Sequence, residues 1–188
     1  MTNKIFETVT STKSTSPVII VEMSGNHGND IAVARTFVKQ AITAGADIIK
    51  FQVYTPDTIT LNAKGEDFQV HNDTIWNKHK TLYELYSLAH TPWDWIAALA
   101  KQCDEAKQPW FASPFDATAV DFLESINCPA YKLASPEIND INLIEVMAKT
   151  GKPIILSTGL ATKSEIDVVV EVLKKHHNNF AILKCTSA

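Results

Sequence analysis

The sequence predicts an α/β fold: a (β/α)8 TIM barrel, truncated after about six βα units. Three observations predict it. Short β-branched apolar runs alternate with stretches of helical periodicity along most of the chain. The later units recur every ~20 to 27 residues, a spacing that suits an α/β barrel better than a solenoid. Lysines, hydroxyls and acids recur just after the apolar runs, where a parallel sheet brings all its strand tips to one face.

The elements follow in order. Pro17-Val-Ile-Ile-Val-Glu22 is a β-branched run bounded by proline and Gly25, the pattern of a buried strand. Asp30 supplies an N-cap. Ile31, Ala34, Phe37, Val38, Ala41 and Ile42 then keep helical spacing up to Gly45, which stands in the C-cap position. A second strand, Asp47 to Val53, follows at once and completes a right-handed βαβ unit. Thr91 and Pro92 read as N-cap and first-turn proline of a helix reaching Lys107. Pro109 to Ser113 is a strand, and Asp116 opens a helix through Glu124. Ala130 to Ala134 is the next strand, after which Asn139 or Asp140 caps a helix ending at Gly151. Pro153 to Ser157 is a strand, Thr162 caps a helix to Lys175, and Phe180 to Cys185 is the sixth strand.

The stretch from Tyr54 to His90 breaks this rhythm. It is too long for an ordinary βα loop, and it holds Trp76 and a short helix from Thr81 to Ala89. Long loops inside compact domains tend to be functional. A closed barrel needs eight βα units and about six are legible, so the chain reads as an open sheet or as a truncated barrel. Its last residues have the character of a βα loop, which favours the barrel. Six units leave the apolar edges of the first and last strands bare, so the chain alone is expected to be marginal, oligomeric or prone to aggregate.

Composition narrows the class. With 188 residues, 45% of them hydrophobic, the chain can bury one sizeable core. Residues 1–16 read as a polar, Thr/Ser-rich lead-in without the apolar stretch of a secretory signal, and residues 17–188 as one partial barrel domain. A net charge of -4, a pI near 5.8 and the lack of a basic run argue against nucleic acid or an anionic membrane as partner. No apolar stretch reaches the ~18 residues of a membrane span. Cys103, Cys128 and Cys185 form no CxxC pair and no metal spacing, which suits reduced thiols in a cytoplasmic protein. Asn72-Asp-Thr74 matches a glycosylation sequon that such a location leaves unused.

The candidate site lies at the strand ends. Lys50, Lys132 and Lys184 each close an apolar run, and lysine is rarely buried without a partner. Such cations suit a small phosphorylated ligand, since lysine binds phosphate as a point charge. Lys50 and Gln52 are two apart and share one face of a strand. Glu22, Asn26 and His27 follow the first strand, where the acid and the imidazole read either as a solvated turn or as proton-handling groups facing the cleft. Ser113, Ser135, Ser157 and Ser187 follow later strands, and hydroxyls with backbone N–H groups at helix N-termini bind anions. His176 and His177 are adjacent at a helix end and read as solvated.

Taken as an ordered set, Glu22-Met-Ser-Gly-Asn-His27, Lys50-Phe-Gln52, Ser113-Pro-Phe-Asp116, Tyr131-Lys-Leu-Ala-Ser-Pro-Glu137, Ser157-Thr-Gly159 and Lys184-Cys-Thr-Ser187 resemble the sialic acid synthase family. The resemblance runs from Pro17 to Ala188. Thr55-Pro-Asp-Thr-Ile-Thr60, Leu82-Tyr-Glu-Leu-Tyr86 and Ala89-His-Thr-Pro-Trp-Asp-Trp95 are similar to its pseudaminic acid synthase branch, which makes the long loop the part that distinguishes sugars. The resemblance implies a (β/α)8 barrel, a small antifreeze-like domain and a domain-swapped homodimer. It implies a carbon–carbon bond-forming transferase that condenses phosphoenolpyruvate with a 2,4-diacetamido-2,4,6-trideoxy hexose to give a nonulosonic acid and phosphate. It carries phosphoenolpyruvate binding onto Lys50, Gln52, Ser113, Lys132 and Ser135, with Ser187 where some members have Asn and with Lys184 a weaker match. Glu22 and Glu137 match acids at the reaction centre, with Asn26 and His27 beside them. The divalent metal it implies, Mn2+ or Mg2+, polarises the sugar aldehyde. Its histidine ligands, like the antifreeze-like domain and its substrate-contacting arginine, are expected beyond Ala188.

Three other readings stay open. N-acetylneuraminate or legionaminate synthesis changes only the sugar. A Schiff-base aldolase would use Lys132 or Lys184 as nucleophile. A fragment of a synthase would have no activity by itself.

Overall fold

The computed structural model describes residues 10, 16–70 and 79–185. Six parallel strands lie side by side in chain order: β1 (Ile20–Glu22), β2 (Ile48–Val53), β3 (Trp110–Pro114), β4 (Tyr131–Leu133), β5 (Ile154–Ser157) and β6 (Phe180–Leu183). This is the order of successive strands in a (β/α)8 barrel, and the sheet forms a half-barrel. The helices are α1 (Ile31–Thr43), α2 (Pro56–Ile59), α3 (Leu82–Ala89), α4 (Trp93–Glu105), α5 (Ala117–Ser125), α6 (Ile141–Lys149) and α7 (Lys163–Lys174). No described helix is long and apolar enough to cross a membrane.

Strand alternation gives the sheet two different faces. Ile49, Phe51, Val53, Trp110, Ala112, Tyr131, Leu133, Ile154 and Leu156 pack outward in the main core. The helices supply its other half through residues at helical spacing: Ala34, Val38 and Ala41 of α1, Leu143, Ile144, Met147 and Ala148 of α6, Val169, Val172 and Leu173 of α7. The inner face holds a much smaller cluster, Ile48, Phe111, Ala130 and Ile155 with Val18 against it. One step toward the strand tips, the same inner rows turn polar.

The predicted caps fold as read, with one exception. Asp30 accepts from the Ala32 N–H at 2.7 Å, Asp116 from Thr118 and Ala119, and Asp140 from Leu143. Thr162 and Glu165 form a reciprocal capping box on α7. Thr91, expected to cap α4, does not: Pro92 is the N-cap, and the Thr91 hydroxyl pairs instead with His27 Nε2 at 3.1 Å.

The long loop is a small subdomain. It carries α2, a 3-10 turn at Glu66–Phe68, an antiparallel bridge between Gln69 and Thr81, and α3. The Tyr83 hydroxyl donates to Asp57 at 2.9 Å and ties α3 to α2. Gly25 lets α3 dock on the loop after β1, because a Cβ there would lie 2.6 Å from the Ala89 carbonyl oxygen. Trp76 and the Asn72-Asp-Thr74 sequon lie outside the described residues, as does the lead-in apart from Thr10 and Ser16.

β1 begins at Ile20, later than the apolar run from Pro17 suggests. Ile19 already lies at the sheet, where its carbonyl accepts from Asp47 and Ile48. The edge strands expose apolar side chains, Ile19 and Ile20 beside β2 and Ile182 and Leu183 on β6, as expected of a half-barrel.

Candidate active site

The polar residues gather on the inner face because register and alternation bring them there. Glu22 stands opposite Lys50 across β1–β2, and Gln52 opposite Ser113 across β2–β3. Lys132 pairs with Ile155 across β4–β5, placing Ser157, two residues on, at the tip beside it. Glu22, Lys50, Gln52, Ser113, Lys132 and Ser157 thus share the inner face near the strand tips.

Glu22 anchors its β1–β2 end. Its Oε1 accepts from Lys50 Nζ at 2.9 Å, from Gln52 Nε2 at 2.5 Å and from Ser24 Oγ at 3.0 Å. Burial alone would raise this carboxyl. The hydrogen bond and charge of Lys50, with the bonds from Ser24 and Gln52, outweigh it and hold the group below the usual carboxylate range.

Lys132 anchors the β4–β5 end. Its ammonium donates to the Leu133 carbonyl at 2.6 Å and to the Ser157 hydroxyl. Burial first, then the positive charge of Lys50, bring it down to about 8, against the opposing pull of Cys185, Glu22 and Glu137. That the charge of Lys50 reaches Lys132 from a separate strand means the two ammoniums face a common space. A bound anion would favour the charged form of Lys132.

Glu137 sits in the 3-10 turn Ser135–Asn139 after β4. Burial raises its carboxyl, which its own backbone N–H and Lys132 only partly offset, and its Oε2 has no hydrogen-bond partner among the described residues. Ser113 is 1% exposed, and its hydroxyl is likewise unpartnered. A buried polar atom without a partner is costly unless a ligand supplies one. Ser135 is held by close approach: a Cβ on Gly159 would lie 2.9 Å from the Ser135 Cβ, and Gly159 has a φ of +52°.

Some expected residues stand elsewhere. His27 does not open on the cleft. It is fully buried, its Nδ1 accepts from the Asn29 N–H at 3.1 Å, its Nε2 meets the Thr91 hydroxyl, and its ring packs edge to face on Trp95. The N–H donor at Nδ1 puts the ring proton on Nε2. His27 therefore locks the first loop to the start of α4. Asn26 is an exposed turn residue whose Nδ2 donates to the Met23 carbonyl at 2.9 Å. Lys184 does not converge with the other lysines: the β5–β6 register sets Ser157 against Leu183, so Leu183 and Cys185 take the inner side and Lys184 the outer. Ser187 lies outside the described residues. His177, expected to be solvated, is half-buried, with Nδ1 accepting from the Asn179 N–H.

The inner position just past β6 belongs to Cys185, read from sequence only as a reduced thiol. Its thiol donates to the Leu183 carbonyl at 3.9 Å, and the neighbouring hydroxyl of Ser157 first, then that of Ser135 and the charge of Lys132, lower it despite some burial. Cys103 and Cys128 are buried and pushed up to about 12. Counting positions along β6 from its β5 register would have found Cys185. The described residues hold no group of three or more His, Cys, Asp or Glu arranged to grip a metal ion, so a divalent cation finds no ligand set among them.

The site thus offers two ammoniums, a ring of hydroxyls and two carboxylates of different proton affinity. That set can bind a small polyanion at one end and handle charge at the other.

Known proteins resemble this chain in sequence and in fold. A family model described as the NeuB family matches residues 37–188. A pseudaminic acid synthase of Helicobacter pylori is 43% identical over 92% of the chain and 50% of its own length. An N,N'-diacetyllegionaminic acid synthase of Campylobacter jejuni is 32% identical over 90% of the chain and 51% of its own. The crystal structure of an N-acetylneuraminic acid synthetase from Leptospira borgpetersenii superposes with a TM-score of 0.77 at 30% identity, covering 91% of this chain and 54% of that one. The chain spans about half the length of the curated relatives it matches.

Proposed function

The chain belongs to the NeuB family, and on that premise we propose that its protein condenses phosphoenolpyruvate with a 2,4-diacetamido-2,4,6-trideoxy hexose, giving a nonulosonic acid and phosphate. The observation that carries this reading is the pair Lys50 and Lys132, two half-buried ammoniums facing one space beside the unpartnered hydroxyl of Ser113. The higher identity to a pseudaminic acid synthase than to a legionaminic one favours this sugar over its alternatives.

In this reading Lys132, Ser157 and Ser135 hold the phosphate, and Lys50, Gln52 and Ser113 hold the carboxylate. The C3 carbon of phosphoenolpyruvate attacks the sugar aldehyde, and positive character develops at C2. Glu22, kept ionised by Lys50, stabilises that charge electrostatically. Water then adds at C2. Glu137, whose burial raises its proton affinity, is suited to exchange a proton with that water or with the departing phosphate. The C2–O bond breaks, and the bridging oxygen leaves with phosphorus. Incubating the full-length protein with both substrates and a divalent metal salt tests this. Equimolar phosphate and a nine-carbon acid are the expected products, and intact phosphoenolpyruvate with every amino sugar would overturn the reading.

One observation favours a second reading. A lysine brought down to about 8 in a half-buried site is suited to form an imine. A Schiff-base aldolase would be trapped on Lys132 by borohydride with a carbonyl substrate. The synthase forms no imine and would leave Lys132 unmodified.

A further inference from the structure

Beyond Gln52 and Ser113 the ends of β2 and β3 turn aromatic. Tyr54 and Phe115 stand two residues past that registered pair, and their rings meet edge to face at 5.5 Å. Tyr54 follows the last residue of β2 and Phe115 the last of β3, so these rings stand just past the tips of the strands that carry Gln52 and Ser113. Tyr86 of α3 meets Tyr54 edge-on at 5.8 Å, and His90, which ends that helix, lies 6.4 Å from it. Tyr54 is the buried hub, while Tyr86, His90 and Phe115 are half-buried and keep open surface.

This wall lies on the β2–β3 side, whereas Lys132 and Ser157 lie on β4–β5. With phosphoenolpyruvate held between Lys132 and Lys50, the ligand left to meet these rings is the uncharged sugar. The wall also has one polar feature. His90 Nδ1 lies 3.1 Å from two carbonyl oxygens, those of Tyr86 and Ser87. Carbonyls only accept, so Nδ1 carries the ring proton and neutral His90 keeps Nε2 as an acceptor. Flat apolar rings beside one acceptor match a group with a methyl and an N–H, which is the chemistry of an acylated amine.

We propose that Tyr54, Tyr86, His90 and Phe115 form a subsite for an acylamino substituent of the sugar, and that this wall sets which amino sugar is accepted. The methyl packs on the Tyr86 and Phe115 rings, and the amide N–H donates to His90 Nε2. The inference rests on the condensation reading above and names the part of the site that selects within it.

The test compares two sugars in the full-length protein: one with an acetamido group, one with a free hydroxyl at the same position. Removing a well-packed apolar group changes kcat/KM by roughly 10- to 200-fold. Tyr86→Leu and Phe115→Leu are expected to cut the wild-type preference for the acetamido sugar about tenfold or more by the same rule, through KM for the sugar and not through KM for phosphoenolpyruvate. Tyr86→Phe keeps the ring and is expected to keep the preference. Thermal melts show which variants fold, and Phe115→Leu carries the comparison if Tyr86→Leu does not. Folded variants with the wild-type preference would overturn the subsite alone. A wild-type protein that condenses neither sugar would overturn the condensation reading, and the subsite with it.

Discussion

Glu22 and Lys50 stand directly opposite each other in the parallel β1–β2 register and close an ion pair of 2.9 Å at the barrel mouth. The pair is half-buried and is shared with Gln52 and Ser24. Lys50 keeps Glu22 ionised, and in the proposed reaction it also binds the incoming anion.

Glu22→Gln separates those roles. Losing the carboxylate removes charge stabilisation from the reaction but leaves Lys50 free for the substrate. The expected result is a fall in kcat of about 100- to 1000-fold, the range for losing one preorganised electrostatic group, with no rise in KM for phosphoenolpyruvate. A raised KM with unchanged kcat in steady-state assays would show that Glu22 only positions Lys50.

Lys132 sets a pH limit. Its ammonium titrates at about 8 in the free protein because burial and Lys50 disfavour the charged form. Only the protonated form attracts an anion. The pH profile of kcat/KM for phosphoenolpyruvate reports the free protein, so it should fall with a slope of -1 as pH rises above about 8. The sign for stability is opposite. Between that value and the unfolded value of 10.5 the unfolded chain binds more protons, so Lys132 favours the fold more as pH rises through this window. Lys132→Met should abolish the limb and weaken phosphoenolpyruvate binding.

Gly159→Ala is a steric probe of Ser135. The new methyl would stand 2.9 Å from the Ser135 Cβ, on a residue at φ +52° where a side chain costs about 1–2 kcal/mol. The expected outcome is a lower melting temperature together with a raised KM for phosphoenolpyruvate. A change in melting temperature alone would show that Ser135 does not touch the substrate.

The opposite end of the strands offers a control. Glu124 accepts from both the Tyr131 hydroxyl and the Lys152 ammonium, far from the strand tips. Glu124→Ala strands these partly buried partners, a cost of about 1–3 kcal/mol. Denaturant titration should show that loss while KM for both substrates stays put.

Much of this was legible in the sequence, for reasons particular residues make plain. The strands announced themselves as β-branched runs, and Asp30, Asp116, Asp140 and Thr162 announced the helices, because capping depends on neighbours two or three residues away. Thr91 misled because a long-range partner, His27, took its hydroxyl. Lys184 misled because its side of β6 depends on the pairing with β5, which no local pattern reveals. Cys185, read only as one of three reduced thiols, was not placed at the site for the same reason. Gly159 against Ser135 is a contact between separate loops, invisible before folding.

The most direct test of the account uses phosphoenolpyruvate labelled with 18O in the bridge between C2 and phosphorus. The full-length protein is given this substrate with the diacetamido hexose, and the released phosphate is analysed by mass. The label is expected to leave with phosphate while a nine-carbon acid forms, since the C2–O bond breaks. Label retained in a pyruvate product would mean cleavage at phosphorus, and the condensation assigned to this site would be wrong.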